Sequence, residues 1–128
     1  MVAKQFTVRL KNEPGALARL AAELGEHGID IRGIGAGAVG THGCVVLATS
    51  DDDAAGEVLR KAHYTFSEDE VLSVGLVDRP GALAELTGRL AAAGVNVISV
   101  MLLRRHQGKA ELGITVDSVE TARRVIAT

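Results

Sequence analysis

The sequence predicts an α+β fold built from two copies of one small unit, and three observations carry that prediction. The segment Asn12-Glu13-Pro14-Gly15-Ala16-Leu17-Ala18 returns as Asp78-Arg79-Pro80-Gly81-Ala82-Leu83-Ala84, a displacement of 66 residues (80 − 14). The register then holds through Leu20 and Leu86, Leu24 and Leu90, Gly28 and Gly94, and Ile31 and Val97. Around each copy, apolar residues alternate, shift to helical spacing and return to alternation. A repeat of this length occurring twice in 128 residues is a pair of supersecondary modules, because solenoid repeats are shorter and more numerous.

Phe6, Val8 and Leu10 alternate with Gln5, Thr7, Arg9 and Lys11, the pattern of a strand with one buried face. Pro14 is expected to open a helix, where its missing N–H is no loss. Leu17, Leu20, Ala21 and Leu24 form its apolar stripe, and Gly28 ends it as a residue free to take positive φ. A second strand is predicted over 29–39, loosened by Gly33, Gly35 and Gly37, which mark bulges or close backbone contacts. Gly40-Thr41-His42-Gly43 reads as a hairpin turn and Cys44 to Thr49 as the third strand. Ser50 and the three aspartates Asp51, Asp52 and Asp53 cap a second helix with stripe Ala55, Val58, Leu59 and Ala62. His63 to Ser67 is expected as a short fourth strand.

The second unit repeats this order: strand 71–77, helix 81–93, strand 95–103, turn 104–108, strand 109–116 and helix 118–127. Asp117 with Glu120 has the spacing of a capping box. No residues follow to form a fourth strand, so the second unit is expected to lack it. Two βαβ halves split by a central hairpin give an antiparallel sheet with both helices on one face, the ferredoxin-like arrangement. The predicted division is 1–69 and 70–128. The strand around Val97, Ile98, Val100, Met101, Leu102 and Leu103 is apolar at nearly every position, which implies cover on its second face or edge.

Composition narrows the function classes. With aromatics at 2% and no Trp, the core must come from Leu, Val, Ile and Ala. A net charge of −2 leaves no basic footprint for nucleic acid. The single Cys44 excludes an intrachain disulfide and suits a reducing, cytoplasmic setting. No signal peptide or bilayer-length apolar run is visible. A unit of this size buries only ~60% of its unfolded surface, so pairing of units, and a homodimer, is expected. Phosphate-loop and nucleophile-elbow motifs are absent. Gly33-x-Gly35-x-Gly37 lies in a strand pattern, not before a helix, and fails as a dinucleotide fingerprint. His27, His42, His63 and His106 read as solvated turn and helix-end residues, although His42 and His106 share the predicted hairpin turns. Cys44 reads as a small buried apolar residue, and Arg104-Arg105 as a solvated turn unless it contacts a partner. No catalytic residues, metal site or cofactor are expected.

The repeated Asn/Asp-x-Pro-Gly-Ala-Leu turn after a strand, followed by Gly28-Ile29-Asp30-Ile31 and Gly94-Val95-Asn96-Val97, resembles the ACT domain. The resemblance occurs twice and spans nearly the whole chain. It implies a regulatory module that binds a small free amino acid between paired domains, without catalysis. The turn chemistry is consistent with this, since a helix N-terminus offers unpaired amides to a carboxylate. Gly15 and Gly81 allow close backbone approach, and Asn12 or Asp78 offers an oxygen to an ammonium group. The alternative, that Asn12 and Asp78 only help cap the helix, stays open on the motif alone. By the family pattern the ligand-binding residues are Asn12, Gly15, Ala16, Leu17, Asp30 and Ile31 in one copy. In the other they are Asp78, Gly81, Ala82, Leu83, Asn96 and Val97. The pattern pairs Asn12 with Asn96 and Asp78 with Asp30, and the amide pair is the preferred site. The polar residue the family often carries two places before Asn12 is Leu10 here, and Leu76 in the second copy. A module that docks a partner protein without a ligand is the alternative function.

Overall fold

The computed structural model describes residues 2–127. The chain divides into two compact units, Ala3–Asp69 and Glu70 onward. The first contains β1 (Lys4–Lys11), α1 (Ala16–Glu26), β2 (Ile31–Val39), β3 (His42–Thr49), α2 (Asp52–Lys61) and β4 (Phe66–Glu70). Its sheet has the order β2-β3-β1-β4. β1 and β3 are antiparallel, with Val8 opposite Val45 and Lys11 opposite His42. Phe6, Val8, Val45 and Leu47 on one sheet face meet Leu20 and Leu24 of α1 and Val58 and Leu59 of α2. This is the aliphatic core that the near absence of aromatic residues requires.

The second unit contains β5 (Leu72–Val77), α3 (Ala82–Ala92), β6 (Val97–His106), β7 (Lys109–Val116) and α4 (Val119–Ala127). Its sheet has three strands in the order β5-β7-β6. Leu72, Val74, Leu112, Ile114 and Val116 pack with Leu86, Leu90 and Ala122. Among the described residues no strand takes the place that β4 holds in the first unit. On the sheet face away from the helices Ser99, Met101 and Thr115 are buried, and Ser99 and Thr115 share a hydroxyl hydrogen bond of 2.6 Å. On β6 itself Ile98, Val100, Leu102 and Leu103 stay substantially exposed, because an edge strand receives less helix cover.

Several boundaries differ from the sequence reading. Pro14 does not start α1; it lies in the preceding turn, and the helix is entered through Gly15 at φ 87°. Gly81 does the same for α3 at φ 88°. A left-handed glycine reverses the chain so sharply that helical backbone begins only after it. The fourth strand starts at Phe66 rather than His63, because His63 takes φ 63° and turns the chain first. The cap of α2 is Asp51, whose Oδ1 accepts from the Ala54 amide at 3.1 Å, and Ser50 serves the loop before β2 instead. Asp117 likewise accepts from the Asn96 amide at 2.9 Å rather than closing a capping box.

The hairpin turns are shorter than expected, leaving His42 at the start of β3 and His106 at the end of β6. Those histidines stand on opposite sides of their turns and are not equivalents. Arg104 and Arg105 lie in β6, not in a solvated turn. Cys44 is exposed, not buried, since it alternates with Val45, which faces the core. Of the β2 glycines, Gly33 adjoins a register shift, but Gly35 and Gly37 have open space where a Cβ would be. The close approach is at Gly43, whose Cβ would lie 2.5 Å from the Gly37 carbonyl oxygen. Gln5, expected on a solvated face, is buried.

Candidate functional site

The two strand-to-helix turns have the same backbone and different chemistry. In the first unit the Ala16 amide donates to the Glu13 carbonyl at 3.3 Å and the Arg19 amide to the Gly15 carbonyl at 2.9 Å. The amides between them, Leu17 and Ala18, have no acceptor among the described residues, and no side chain caps the helix. In the second unit Ala82 donates to Arg79 at 3.3 Å and Glu85 to Gly81 at 3.0 Å, leaving Leu83 and Ala84 in the same state. Each turn thus presents two N–H groups at the positive end of a helix dipole. The first turn of α1 holds no acidic residue. That of α3 holds Glu85, which already complements the dipole.

Asn12 is not a helix cap. Its backbone amide donates to the Thr41 carbonyl at 2.9 Å, and its Nδ2 donates to the Gly40 carbonyl at 2.9 Å. Both bonds tie the turn to the β2–β3 hairpin. With Nδ2 engaged, the group left over is Oδ1, an acceptor, for which no partner exists among the described residues. Beside it lies a cleft of about 240 Å³, lined by Asn12, Ala16, Leu17, Ala38, Gly43 and Cys44 among others. Its volume suits a small molecule more than a polymer.

Asp78 makes the equivalent backbone bond, to the Gly108 carbonyl at 2.8 Å, but its carboxylate is occupied. Arg105 Nε lies 3.2 Å from Asp78 Oδ2. The second copy therefore brings its own cation to the group that stands where Asn12 stands in the first. A further contrast surrounds both glycines. Glu13 pairs with Arg19 at 3.1 Å in the first copy, and Arg79 pairs with Glu85 at 3.0 Å in the second. The same bridge across the turn is retained with its polarity reversed.

The other predicted positions separate from these turns. Asp30 precedes β2, where its amide donates to Ser50 Oγ at 2.9 Å and its carbonyl accepts from the Ser50 amide at 3.0 Å. Asn96 has the same place before β6, bonded to Asp117 in both directions. Asn12 sits at the hairpin end of β2 and Asp30 at the opposite end of that nine-residue strand, roughly 25–30 Å away at strand rise. Within one unit, therefore, Asn12 does not meet Asp30 and Asp78 does not meet Asn96. Ile31 and Val97 open their strands half-buried, Ala16 and Ala82 are buried with their amides engaged, and Leu17 and Leu83 are exposed.

The sequence reading places Arg105 in a solvated turn and misses its pairing with Asp78 and the reversed ion pairs, although comparing charges at equivalent positions of the repeat exposes the latter. Two carboxylate bridges also shape the second unit. Ser73 Oγ and then Arg104 hold Glu111 below its ordinary value of 4.5. No group of three or more metal-ligating side chains is gathered among the described residues. No helix among them is long and apolar enough to cross a membrane.

The sequence profile of the ACT domain matches residues 4–64 and 71–127. No protein with a curated description matches in sequence. Among solved structures, a protein from Bacteroides thetaiotaomicron aligns over 99% of this chain and 88% of its own, with TM-score 0.75 and 25% identity. The ligand-free regulatory subunit of aspartate kinase from Thermus thermophilus aligns over 98% and 91%, with TM-score 0.62 and 19% identity. Its counterpart from Thermus flavus aligns over 99% and 92%, with TM-score 0.63 and 17% identity. These last two share the fold with the present chain.

Proposed function

The chain belongs to the ACT domain family, and we propose that it is a non-catalytic, cytoplasmic regulatory protein that binds a small free amino acid at the Asn12 turn. The observation that carries this reading is the pairing of opposite functions within one turn. Free amides of Leu17 and Ala18 suit a carboxylate, and the unengaged Oδ1 of Asn12 suits an ammonium group. A free amino acid carries both charges close together. Gly15 keeps the approach open, while Ala16 and Leu17 supply the apolar wall. Asn96 with Val97, from a neighbouring module as the family scheme implies, is the proposed complement. Binding would act by population shift, favouring the module arrangement that holds the ligand better.

The second copy, with Gly81, Ala82 and Leu83, is proposed to be closed by its own Arg105. The Asp78 with Asp30 pairing then falls out of use. Assembly as a homodimer is part of the proposal, supported by the exposed apolar residues of edge strand β6. A module that docks a partner protein rests on the same strip and differs in needing no ligand.

Isothermal titration of the full chain with each of the twenty amino acids tests the reading. One bound equivalent per chain, lost in Asn12→Ala but kept in Asp78→Ala, is expected. No heat from any of them in a folded sample refutes it and leaves partner docking.

A further inference from the structure

On the other flank of the Asn12 turn lies a second, larger cleft of about 440 Å³, formed by the end of β1, the start of α1 and the loop before β4. Arg9, Lys11, Arg19, His42 and His63 line it, against a single carboxylate, Glu13. In a chain whose net charge is −2, this is a local excess of positive charge. Glu13 is already paired with Arg19. Arg9 and Lys11 have no ion-pair partner among the described residues.

The internal repeat shows that the fold does not require these cations. Positions 9, 11 and 19 correspond to Gly75, Val77 and Glu85 in the second unit, which forms the same strand, turn and helix. Of the basic residues in the cleft that have a counterpart, only His42 has a basic one, since His42 faces Lys11 as Lys109 faces Val77. At these strand and helix positions the first copy carries charge that its twin lacks; the second unit gathers Arg104, His106 and Lys109 in a smaller cleft beside Gly75, where Arg104 is already paired with Glu111. At the lip, His63 is held at φ 63°, a conformation that costs a non-glycine residue energy and tends to persist where it serves a site. Beside it Tyr64 is raised above its ordinary value of 10.0, first by burial and then by Glu23. Its phenol stays a neutral hydrogen-bond donor.

We propose that this cleft, which adjoins the amino-acid turn and shares Lys11, Glu13 and Ala16 with it, is a second ligand site that takes a small polyanion of the phosphoryl class. Clustered cations around an open cleft favour a compact ligand with two or more negative charges. The volume admits a small molecule. A nucleic-acid strand would need a longer basic track and stacking rings, and the chain has only one Tyr, two Phe and no Trp.

The test is calorimetric titration of the full chain with pyrophosphate at low ionic strength. The comparison is with Arg9→Gln/Lys11→Gln, with Arg9→Gly/Lys11→Val (which installs the residues of the second unit) and with the charge-matched control Lys61→Ser/Arg124→Ser. Thermal melts confirm that each variant is folded. We expect saturable binding that weakens with added salt, at least about tenfold weaker in both cleft variants and unchanged in the control. Absence of saturable heat, or equal loss in the control, overturns the proposal. Succinate binding as tightly as pyrophosphate overturns the phosphoryl assignment. Asn12→Ala separates this site from the amino-acid reading: pyrophosphate binding is expected to survive that variant, and its loss there overturns the second site.

Discussion

Replacing Gly15 with alanine puts a Cβ on a backbone whose φ is +87°. For an L-residue the left-handed region costs about 1–2 kcal/mol. Stiffening of the unfolded chain returns about 0.4–1 kcal/mol, so the net loss is about 1 kcal/mol. The new methyl lies 3.2 Å from Arg19 Nη1, the far end of a flexible side chain that moves aside, and steric crowding adds little. For a unit of this size such a loss lowers the melting temperature by roughly 4–8 °C. Gly81 provides the control within the same molecule, since its φ is +88° and its nearest neighbour, Arg79 Nη1, is 3.8 Å away. Gly15→Ala and Gly81→Ala are therefore expected to destabilise equally and to differ in ligand response. An amino acid present at a hundred times its Kd stabilises a binding-competent chain by about 2.7 kcal/mol. Differential scanning fluorimetry with and without ligand should show that shift in wild type and Gly81→Ala, and lose it in Gly15→Ala. Loss of the response in Gly81→Ala alone refutes the assignment of the working site to the first copy. An unchanged melting temperature in Gly15→Ala refutes the backbone argument itself.

Gly43→Ala drives a Cβ to within 2.5 Å of the Gly37 carbonyl oxygen and 2.9 Å of Ala38 Cβ. It should cost about 1–3 kcal/mol by chemical denaturation, whereas Gly35→Ala, with open space at its Cβ, should cost nothing. Arg105→Ser removes an ion pair whose members are 65% and 38% exposed. Stability should change by less than about 1 kcal/mol, while titration should gain a second bound amino acid per chain if the arginine closes that site; unchanged stoichiometry counts against closure. Glu111, held low by Ser73 and Arg104, contributes stability that is present above the ordinary value of 4.5 and lost as pH falls through its lower folded value. Glu111→Gln should flatten that acid limb in melts taken between neutral pH and pH 3, and an unaltered profile excludes the contribution.

Most of the fold was legible because periodicity reports burial directly. Spacing alone marks Phe6, Val8, Leu20 and Leu24 as core, and all four are fully buried, whereas Leu17 and Ala21 of the same predicted stripe are exposed. The repeat then transferred that reading to Leu86 and Leu90. Boundaries slipped where one backbone angle decided them, at Gly15, at Gly81 and at His63, since propensity does not encode which residue takes positive φ. Cys44 was misjudged because an apolar strand hides which of its faces meets the helices. At the site, the Pro-Gly turn was readable. The engagement of Asn12 Nδ2 by Gly40 was not, because its partner stands 28 residues away.

The repeat by itself determined that there are two modules of one topology and that their turns carry the family motif. It also showed an asymmetry, Asn12 against Asp78 and Asp30 against Asn96. What that asymmetry means was decided only by tertiary structure. Arg105 reaches Asp78, Asn12 Oδ1 is left without a partner among the described residues, and Arg9, Lys11 and Arg19 line one cleft. Side chains distant in sequence neutralise or reinforce one another only when the folded backbone sets their separation. Charge is written along the chain, but its partner is chosen by distance.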